Sequence, residues 1–434
     1  VIRLEKLTIR KLGNIAPNTE LHFNSRGALL LGKNGTGKTT LLHVIAAALS
    51  SDWPRLSSIA DDGFDLDYTL RFSHQTEEPL LLEVTMLGDP TPNGEFVRRP
   101  FGDKHRGHTL EVTVRDPSGT LLLRASSKDN QTDFTYRDGS NGQRSTPSHS
   151  PVDALTFGDD EKRTPLDHVV FIEELRNLCQ RLQRYDEAYD YFERLTHEER
   201  EDQPRASFFR LDQLLKGIGF SSDLFSVSTC RAMRDAIELL EKTPDQVKLQ
   251  SPPPPGIKGE EPLPWLAVFR ELVRIDEVSI TFELVSAKQS SNTIIMHYGP
   301  MSLRYATHGA TLRGDQLSFG QKRLFALLHY LDAHESIVLA DEMVNGLHHE
   351  WIERCLEISN TRQSFLSSQN PILFDFMDFS SAEDAAERFI ECNVEEQGRF
   401  VWRNMSLDDA AEFYAVYETG VQHVSEILRT RGYW

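Results

Sequence analysis

What this 434-residue chain lacks narrows its class first. It has four cysteines, Cys179, Cys230, Cys355 and Cys392, which are far apart and match no zinc-ligand spacing. A disulfide framework is therefore not expected, and a reducing cytosol is the simplest reading, so the expected localisation is cytoplasmic. No apolar run approaches the ~18 residues of a membrane-spanning helix, so no membrane partner is expected. Val1 to Leu12 alternates apolar and charged side chains and holds no apolar signal-peptide core. Positive charge is in deficit: 47 Lys and Arg stand against 66 Asp and Glu, a formal net charge of −19. That argues against a surface holding nucleic acid by bulk charge, though not against a local basic patch. No internal repeat is evident. What is present, 39% hydrophobic and 26% charged residues, is an ordinary globular composition. The length suits two or three domains, or one large domain with an insertion.

Ile2 to Ile9 alternates with period two, as a half-buried strand does, and Leu21-His22-Phe23 reads as a second strand. Ala28 to Leu31 is a short apolar run, as in a strand buried on both faces. Leu41 to Leu49, rich in Ala and Leu, reads as a buried helix. From Asp67 to Phe134, short apolar runs between turn residues predict an antiparallel sheet, and 137–165 reads as a loop. Thr164-Pro165 is a helix-start signal. Apolar residues then recur every three or four positions from Val169 to Phe192, predicting an amphipathic helix to about Arg194, with more helix through Leu240. Ser251-Pro252-Pro253-Pro254-Pro255-Gly256 reads as a stiff linker. Leu266 to Arg274 returns as helix, Val278 to Val285 and Thr293 to Met296 as strands. From Leu317 helices and strands alternate, as in an α/β fold. Ser406 to Ile427 reads as one capped helix, with Asp408 and Asp409 in its first turn.

Three motifs carry chemistry. Gly32-Lys33-Asn34-Gly35-Thr36-Gly37-Lys38-Thr39 fits GxxxxGK[ST] between an apolar strand and a helix, the setting of a P-loop. Glycines let backbone amides close around phosphate oxygens, and the helix N-terminus favours negative charge. Candidate contacts to ATP are Asn34, Gly35, Gly37, Lys38, Thr39 and Thr40, with Lys38 reaching the terminal phosphates and Thr39 holding Mg²⁺. Ser336 to Glu342 is an apolar strand ending in two carboxylates. Asp341 is the candidate second metal residue, and Glu342 the candidate general base. Leu317-Ser318-Phe319-Gly320-Gln321-Lys322-Arg323 precedes a helical stretch. Ser318, Gly320 and Gln321 could bond a phosphate there, or Ser318 could simply cap the helix.

Together these motifs resemble the SMC/RecF/OLD-type ABC ATPases, in the branch that serves prokaryotic antiphage defence (Septu PtuA-like or PARIS AriA-like). Leu317 to Gln321 resembles the signature LSGGQ with Phe319 in place of a glycine. Asp341-Glu342-Met343-Val344-Asn345-Gly346-Leu347-His348 resembles the segment DEPxxGLH. The resemblance covers roughly 1–135 and 277–393. It implies an α/β P-loop NTPase, an ABC-type ATPase head with an antiparallel β subdomain and a helical insertion. The expected divisions are 1–164 as head lobe I, 165–275 as the insertion or short arm, and 276–434 as head lobe II. It also implies a homodimer sandwiching ATP, with Lys38 and Asp341 of one copy facing Ser318 and Gly320 of the other. A partner effector such as a nuclease or toxin is implied as well. Ser364 to Pro371 aligns with the switch strand, where Gln369 replaces the usual histidine. Glutamine cannot become a cation near neutral pH, so slow hydrolysis is expected.

Gln75 and Gln131 are candidates for the Q-loop. Arg98 to His108 is a candidate DNA contact or a solvated hairpin loop. Leu428 to Trp434, with its arginines and terminal aromatics, could dock on a partner or pack on its own head. His348-His349-Glu350 is not spaced for a shared metal. Two other readings stay open: a DNA-repair ATPase of RecF type, and the soluble ATPase subunit of an ABC transporter. The helical insertion and Gln369 speak against the transporter.

Overall fold

The computed structural model describes residues 1–60, 62–75, 77–89, 108–128, 131–146, 148–156, 169–189, 209–214, 217–221, 229, 232, 245–253, 263–290 and 293–433. They fall into two compact units. The first comprises Val1–Arg184, Ser336–Met343 and Ser359–Trp434, the second Tyr185–Glu335 and Val344–Ile358.

The first unit holds two sheets. Strands β1 (Ile2–Leu12), β2 (Thr19–His22), β4 (Phe64–Phe72), β5 (Leu80–Gly88), β6 (His108–Arg115), β7 (Leu121–Lys128), β8 (Gln131–Tyr136) and β9 (Asn141–Arg144) form an antiparallel sheet. Its order is β2-β1-β4-β5-β6-β7-β8-β9. Alternation decides its faces. Phe64, Leu66, Tyr68, Leu70 and Phe72 point into the core, with Leu80, Leu82, Val84 and Met86 beside them. The other face is laced with ion pairs: Arg71 with Glu5, Arg10 with Asp65 and Asp67, Arg115 with Glu83, Arg124 with Glu111.

The second sheet joins β3 (Gly27–Leu31), β16 (Ile337–Asp341), β17 (Gln363–Ser367), β18 (Phe389–Val394) and β19 (Phe400–Asn404) in the order β16-β17-β3-β18-β19. All pairs are parallel except β18 with β19. Every residue of β3, β16 and β17 is buried, which explains the apolar runs of β3 and of β16 up to Asp341; β17 is buried although Gln363, Ser364 and Ser367 are polar. The helix Lys38–Ser50 follows β3 and is buried from Leu41 to Leu49 except at His43. Gln363 ties β17 to β1. Its side chain accepts from Leu4 N–H (2.7 Å) and donates to the carbonyls of Leu4 (2.7 Å) and Asn24 (2.8 Å). A buried amide is tolerated here because it is fully satisfied.

In the second unit β10 (Phe209–Leu214), β11 (Gly217–Ser221), β12 (Gln246–Ser251), β13 (Glu277–Ser290), β14 (Thr293–Thr307) and β15 (Ala310–Arg313) form an antiparallel sheet, ordered β11-β10-β14-β13-β12, with β15 on β14. Helices Pro264–Val273 and Phe319–Ala333 meet through aromatic edges: Phe325 lies 5.1 Å from Trp265 and 5.0 Å from Phe269 between ring centroids. His329 stands edge-on to Trp265 at 5.2 Å. Burial pushes the His329 imidazole down to about 4, so it stays neutral in the fold over most of the acid range. Its contribution to stability is therefore complete above pH ~6.5 and is lost as pH falls from there towards 4, where the unfolded chain takes the proton first. Thermal unfolding across this window should fall more steeply for wild type than for His329→Leu. Parallel slopes would refute the assignment.

Three helical expectations differ from the structure. The helix read from 165 to about 194 is Val169–Arg181, with a break at 182–184 before helix resumes over 185–189; Thr164-Pro165 and 190–194 lie outside the described residues. The stretch read as helical towards Leu240 contains the β10–β11 hairpin. Gly217 and Gly219 disfavour helix there, and β14 supplies a pairing partner for β10. The C-terminal helix is two, Leu407–Tyr417 and Val424–Thr430. Gly420 adopts φ 65° and donates its N–H to Tyr417 O (3.0 Å), which ends the first helix.

Candidate nucleotide-binding site

Strand β3 leads directly into the glycine loop. Gly32, Gly35 and Gly37 have φ of 145°, 80° and 83°, conformations a side chain strongly disfavours. A Cβ on Gly32 would stand 2.3 Å from the Cys392 carbonyl oxygen, and one on Gly37 would stand 2.9 Å from the Phe400 ring. A Cβ on Gly35 would meet no described atom within 4 Å. Gly37 is the N-cap of Lys38–Ser50, so the first amides of that helix are left for an external acceptor. Thr40 lies in the same first turn. Lys38 is buried and folds back on the loop, donating to Gly32 O (2.6 Å) and Lys33 O (3.0 Å). Desolvation draws its ammonium below the ordinary lysine range, with Cys392, Asp341 and Glu342 pulling the other way.

The parallel register brings two more strand ends to the loop, those of β16 and β17. Asp341 closes β16 opposite Ser367 of β17. Its carboxylate accepts from the hydroxyls of Thr39 and Ser367. Glu342 leaves the strand at φ 52°, a left-handed conformation uncommon for a non-glycine residue. Its N–H donates to Ser367 O (2.9 Å), while its carboxylate accepts the Gln369 N–H at 2.9 and 3.1 Å. The Gln369 side-chain oxygen accepts from Asn34 Nδ2 at 3.4 Å. Asn34, Lys38, Thr39, Asp341, Glu342 and Gln369 thus gather at the C-terminal edge of one parallel sheet, where α/β folds place ligands.

These residues suit Mg²⁺ and a nucleotide. Among the described residues no group of three or more His, Cys, Asp or Glu could hold a metal. Mg²⁺ does not need one, since it keeps waters and takes one or two carboxylates plus phosphate oxygens. The Thr39 hydroxyl lies on the Asp341 carboxylate, and these two would supply the protein share of such a site. The lysine ammonium, held only by carbonyls of its own loop, is available to phosphate oxygens.

Ser318, Gly320 and Gln321 belong to the second unit. Ser318 caps the helix Phe319–Ala333 in a capping box: its hydroxyl accepts from Gln321 N–H (3.3 Å), and the Gln321 side chain accepts from Ser318 N–H (2.8 Å). Gly320 is required by close approach, because a Cβ there would lie 2.4 Å from Gly346 O. Phe319 is 60% exposed and lies over Gly346, with the Arg323 guanidinium 5.7 Å from its ring. The aromatic is accommodated because its neighbour is glycine.

Other singled-out residues lie elsewhere. Gln131 is on β8 and bonds Asp133, and Gln75 is exposed in the turn after β4. Of the basic stretch, residues 98–107 lie outside the described residues. His108 does not face solvent freely but stacks on Trp53, 4.7 Å away and tilted 14°. Cys179, Cys355 and Cys392 are free and buried, each thiol pushed up to about 12 by burial. Cys230 and Trp434 lie outside the described residues. Sequence reasoning did not find Ser367, Phe400 or Trp402 as site residues. Ser367 sits two positions before Gln369, so the strand register could have pointed to it. The aromatics have no motif.

A parallel sheet whose central strand ends in a glycine loop, with a carboxylate pair on a nearby strand, defines an α/β P-loop ATPase domain, here combined with antiparallel sheets. The chain belongs to the family described as AAA domain, putative AbiEii toxin, type IV TA system, whose model matches residues 28–375. It is similar to solved SMC heads. One is the SMC head bound to the C-winged helix domain of ScpA, at 15% identity, with 94% of this chain and 99% of that one covered and a TM-score of 0.36. Another is the SMC head domain from Thermotoga maritima, at 11% identity, 93% and 99% coverage and a TM-score of 0.34. A third is the Smc head domain with a coiled coil and joint from Pyrococcus yayanosii, at 11% identity, 96% and 100% coverage and a TM-score of 0.35. No curated protein matches the chain. No described helix is long and apolar enough to cross a membrane.

Proposed function

We propose that this chain is an ATP-operated switch that binds ATP with Mg²⁺, hydrolyses it slowly, dimerises around it, and controls an effector such as a nuclease or toxin in prokaryotic antiphage defence. The observation that carries the reading is the hydrogen-bonded path Asn34–Gln369–Glu342, beside the Thr39–Asp341–Ser367 cluster. It joins the loop that would hold phosphates to the carboxylate that would activate water. Lys38 would exchange a carbonyl partner for a phosphate oxygen. The Glu342 carboxylate would accept a proton from the attacking water. Mg²⁺, held through Thr39 and Asp341, would neutralise phosphate charge.

Gln369 supports slow turnover. Its backbone N–H holds Glu342 and its side chain holds Asn34, but neither brings a positive charge to the phosphates. Ser318 and Gly320 of a second copy would complete the site. The family's description supports a toxin–antitoxin or defence setting, and a Septu- or PARIS-type role is part of this proposal. DNA contact through the charged face of the antiparallel sheet is not part of it. The described arginines Arg10, Arg71, Arg115 and Arg124 on the antiparallel sheet are already paired with carboxylates.

Light scattering of the Glu342→Gln protein with and without ATP and Mg²⁺ tests the switch. The mass should double with nucleotide. Adding Ser318→Arg should abolish the doubling while calorimetry still shows ATP bound to each chain, with the affinity reduced only by what dimerisation contributed. A mass indifferent to ATP, with binding demonstrated, would sink the dimer reading.

A further inference from the structure

The glycine loop is shaped from one side by the β18–β19 hairpin. Of its three glycines, two have their Cβ directions blocked by this hairpin, Gly32 by the Cys392 carbonyl and Gly37 by the Phe400 ring. The direction at Gly35 is open. Trp402 Nε1 donates to Thr36 O at 3.4 Å, so a loop carbonyl is also tied to the hairpin. Phe400 and Trp402 stack at 6.1 Å with their planes 9° apart.

The hairpin is itself held on both edges. β18 pairs with β3, the strand that ends in the loop. On the far edge of β19, Phe400 N–H donates to Asn14 O (2.9 Å) and Phe400 O accepts from Ala16 N–H (2.8 Å). Asn404 exchanges two hydrogen bonds with the His22 backbone, at 2.9 and 2.8 Å. The glycines bring no side-chain restraint of their own beside what Thr36 and Lys38 supply, and a left-handed backbone needs surroundings that over-determine it. Here those surroundings are Phe400, Trp402 and the Cys392 carbonyl.

We propose that Phe400 and Trp402 are positioning residues of the nucleotide site. They hold the loop in its anion-accepting conformation before ATP arrives, so they set ATP affinity through Gly37 and Thr36. The proposal rests on the nucleotide-binding reading above. It predicts that loosening the brace weakens binding by letting the loop amides diverge, as small misplacements in a preorganised site do.

The test is isothermal titration of the full chain with ATP and Mg²⁺, read as Kd and stoichiometry separately, beside thermal unfolding without nucleotide. Phe400→Ala should raise Kd by about tenfold or more at unchanged stoichiometry, and Phe400→Leu should recover most of it. Trp402→Phe keeps the ring stack but removes the donor, and should raise Kd roughly threefold. A merely structural role would lower stoichiometry or Tm and leave Kd unchanged, which would overturn the proposal. If Phe400→Ala does not fold, Trp402→Phe decides by the same Kd criterion. Failure of the wild type to bind ATP would overturn the nucleotide reading itself, a result distinct from normal binding by the variants.

Discussion

Lys38→Ala is expected to weaken ATP binding by on the order of 100-fold or more, with little loss of fold. The ammonium is buried and satisfied only by Gly32 O and Lys33 O. Those acceptors belong to the loop and are uncharged, so an incoming phosphate replaces cation–dipole hydrogen bonds with ion-paired ones in which both partners carry charge. Removing the side chain leaves the loop carbonyls near water, so the folded chain loses little. Calorimetry should show binding lost while Tm without nucleotide stays close to wild type. A Lys38→Ala protein that still binds ATP like wild type would refute the placement of phosphates at this loop.

Glu342→Gln is expected to lower ATP turnover by about 10²-fold or more while leaving Kd close to wild type. The exchange removes the acceptor of the water proton and keeps a side chain of the same shape. The Gln369 N–H, which now donates to both carboxylate oxygens, can still bond the amide oxygen. The geometry at φ 52° should therefore survive. Single-turnover measurement separates the two uses of ATP. A large drop means that hydrolysis is part of the cycle. Equal, near-zero rates in both proteins, with ATP still bound, would remove hydrolysis from the function and leave ATP as a clamp alone.

Much of the first unit was legible in the chain. The period-two runs of β1, β4 and β5 announce a sheet with one buried face, and Ala28 to Leu31 announces a strand buried on both. Gly32 to Thr39 is readable because a P-loop is made by consecutive residues. The second unit was less legible. Its β10–β11 hairpin lies in a stretch whose apolar spacing also suits a helix, and pairing with β14 decides against helix. Phe319 looked like a departure from a glycine motif. The structure shows a ring covering Gly346, while the strict demand for glycine falls on Gly320.

By itself the sequence determined the chemistry of this protein: a loop for phosphates, a strand ending in two carboxylates, and a helix capped by Ser318. Those features are local, set by residues a few positions apart. Only the tertiary structure decided which groups share a site. Thr39 and Ser367 meet on Asp341, Gln369 reaches both Glu342 and Asn34, and the loop rests on Phe400 and Trp402. These partners are hundreds or tens of positions apart, and what aligns them is the order and register of parallel strands. That order depends on how the whole sheet buries its apolar faces, a property no single segment carries.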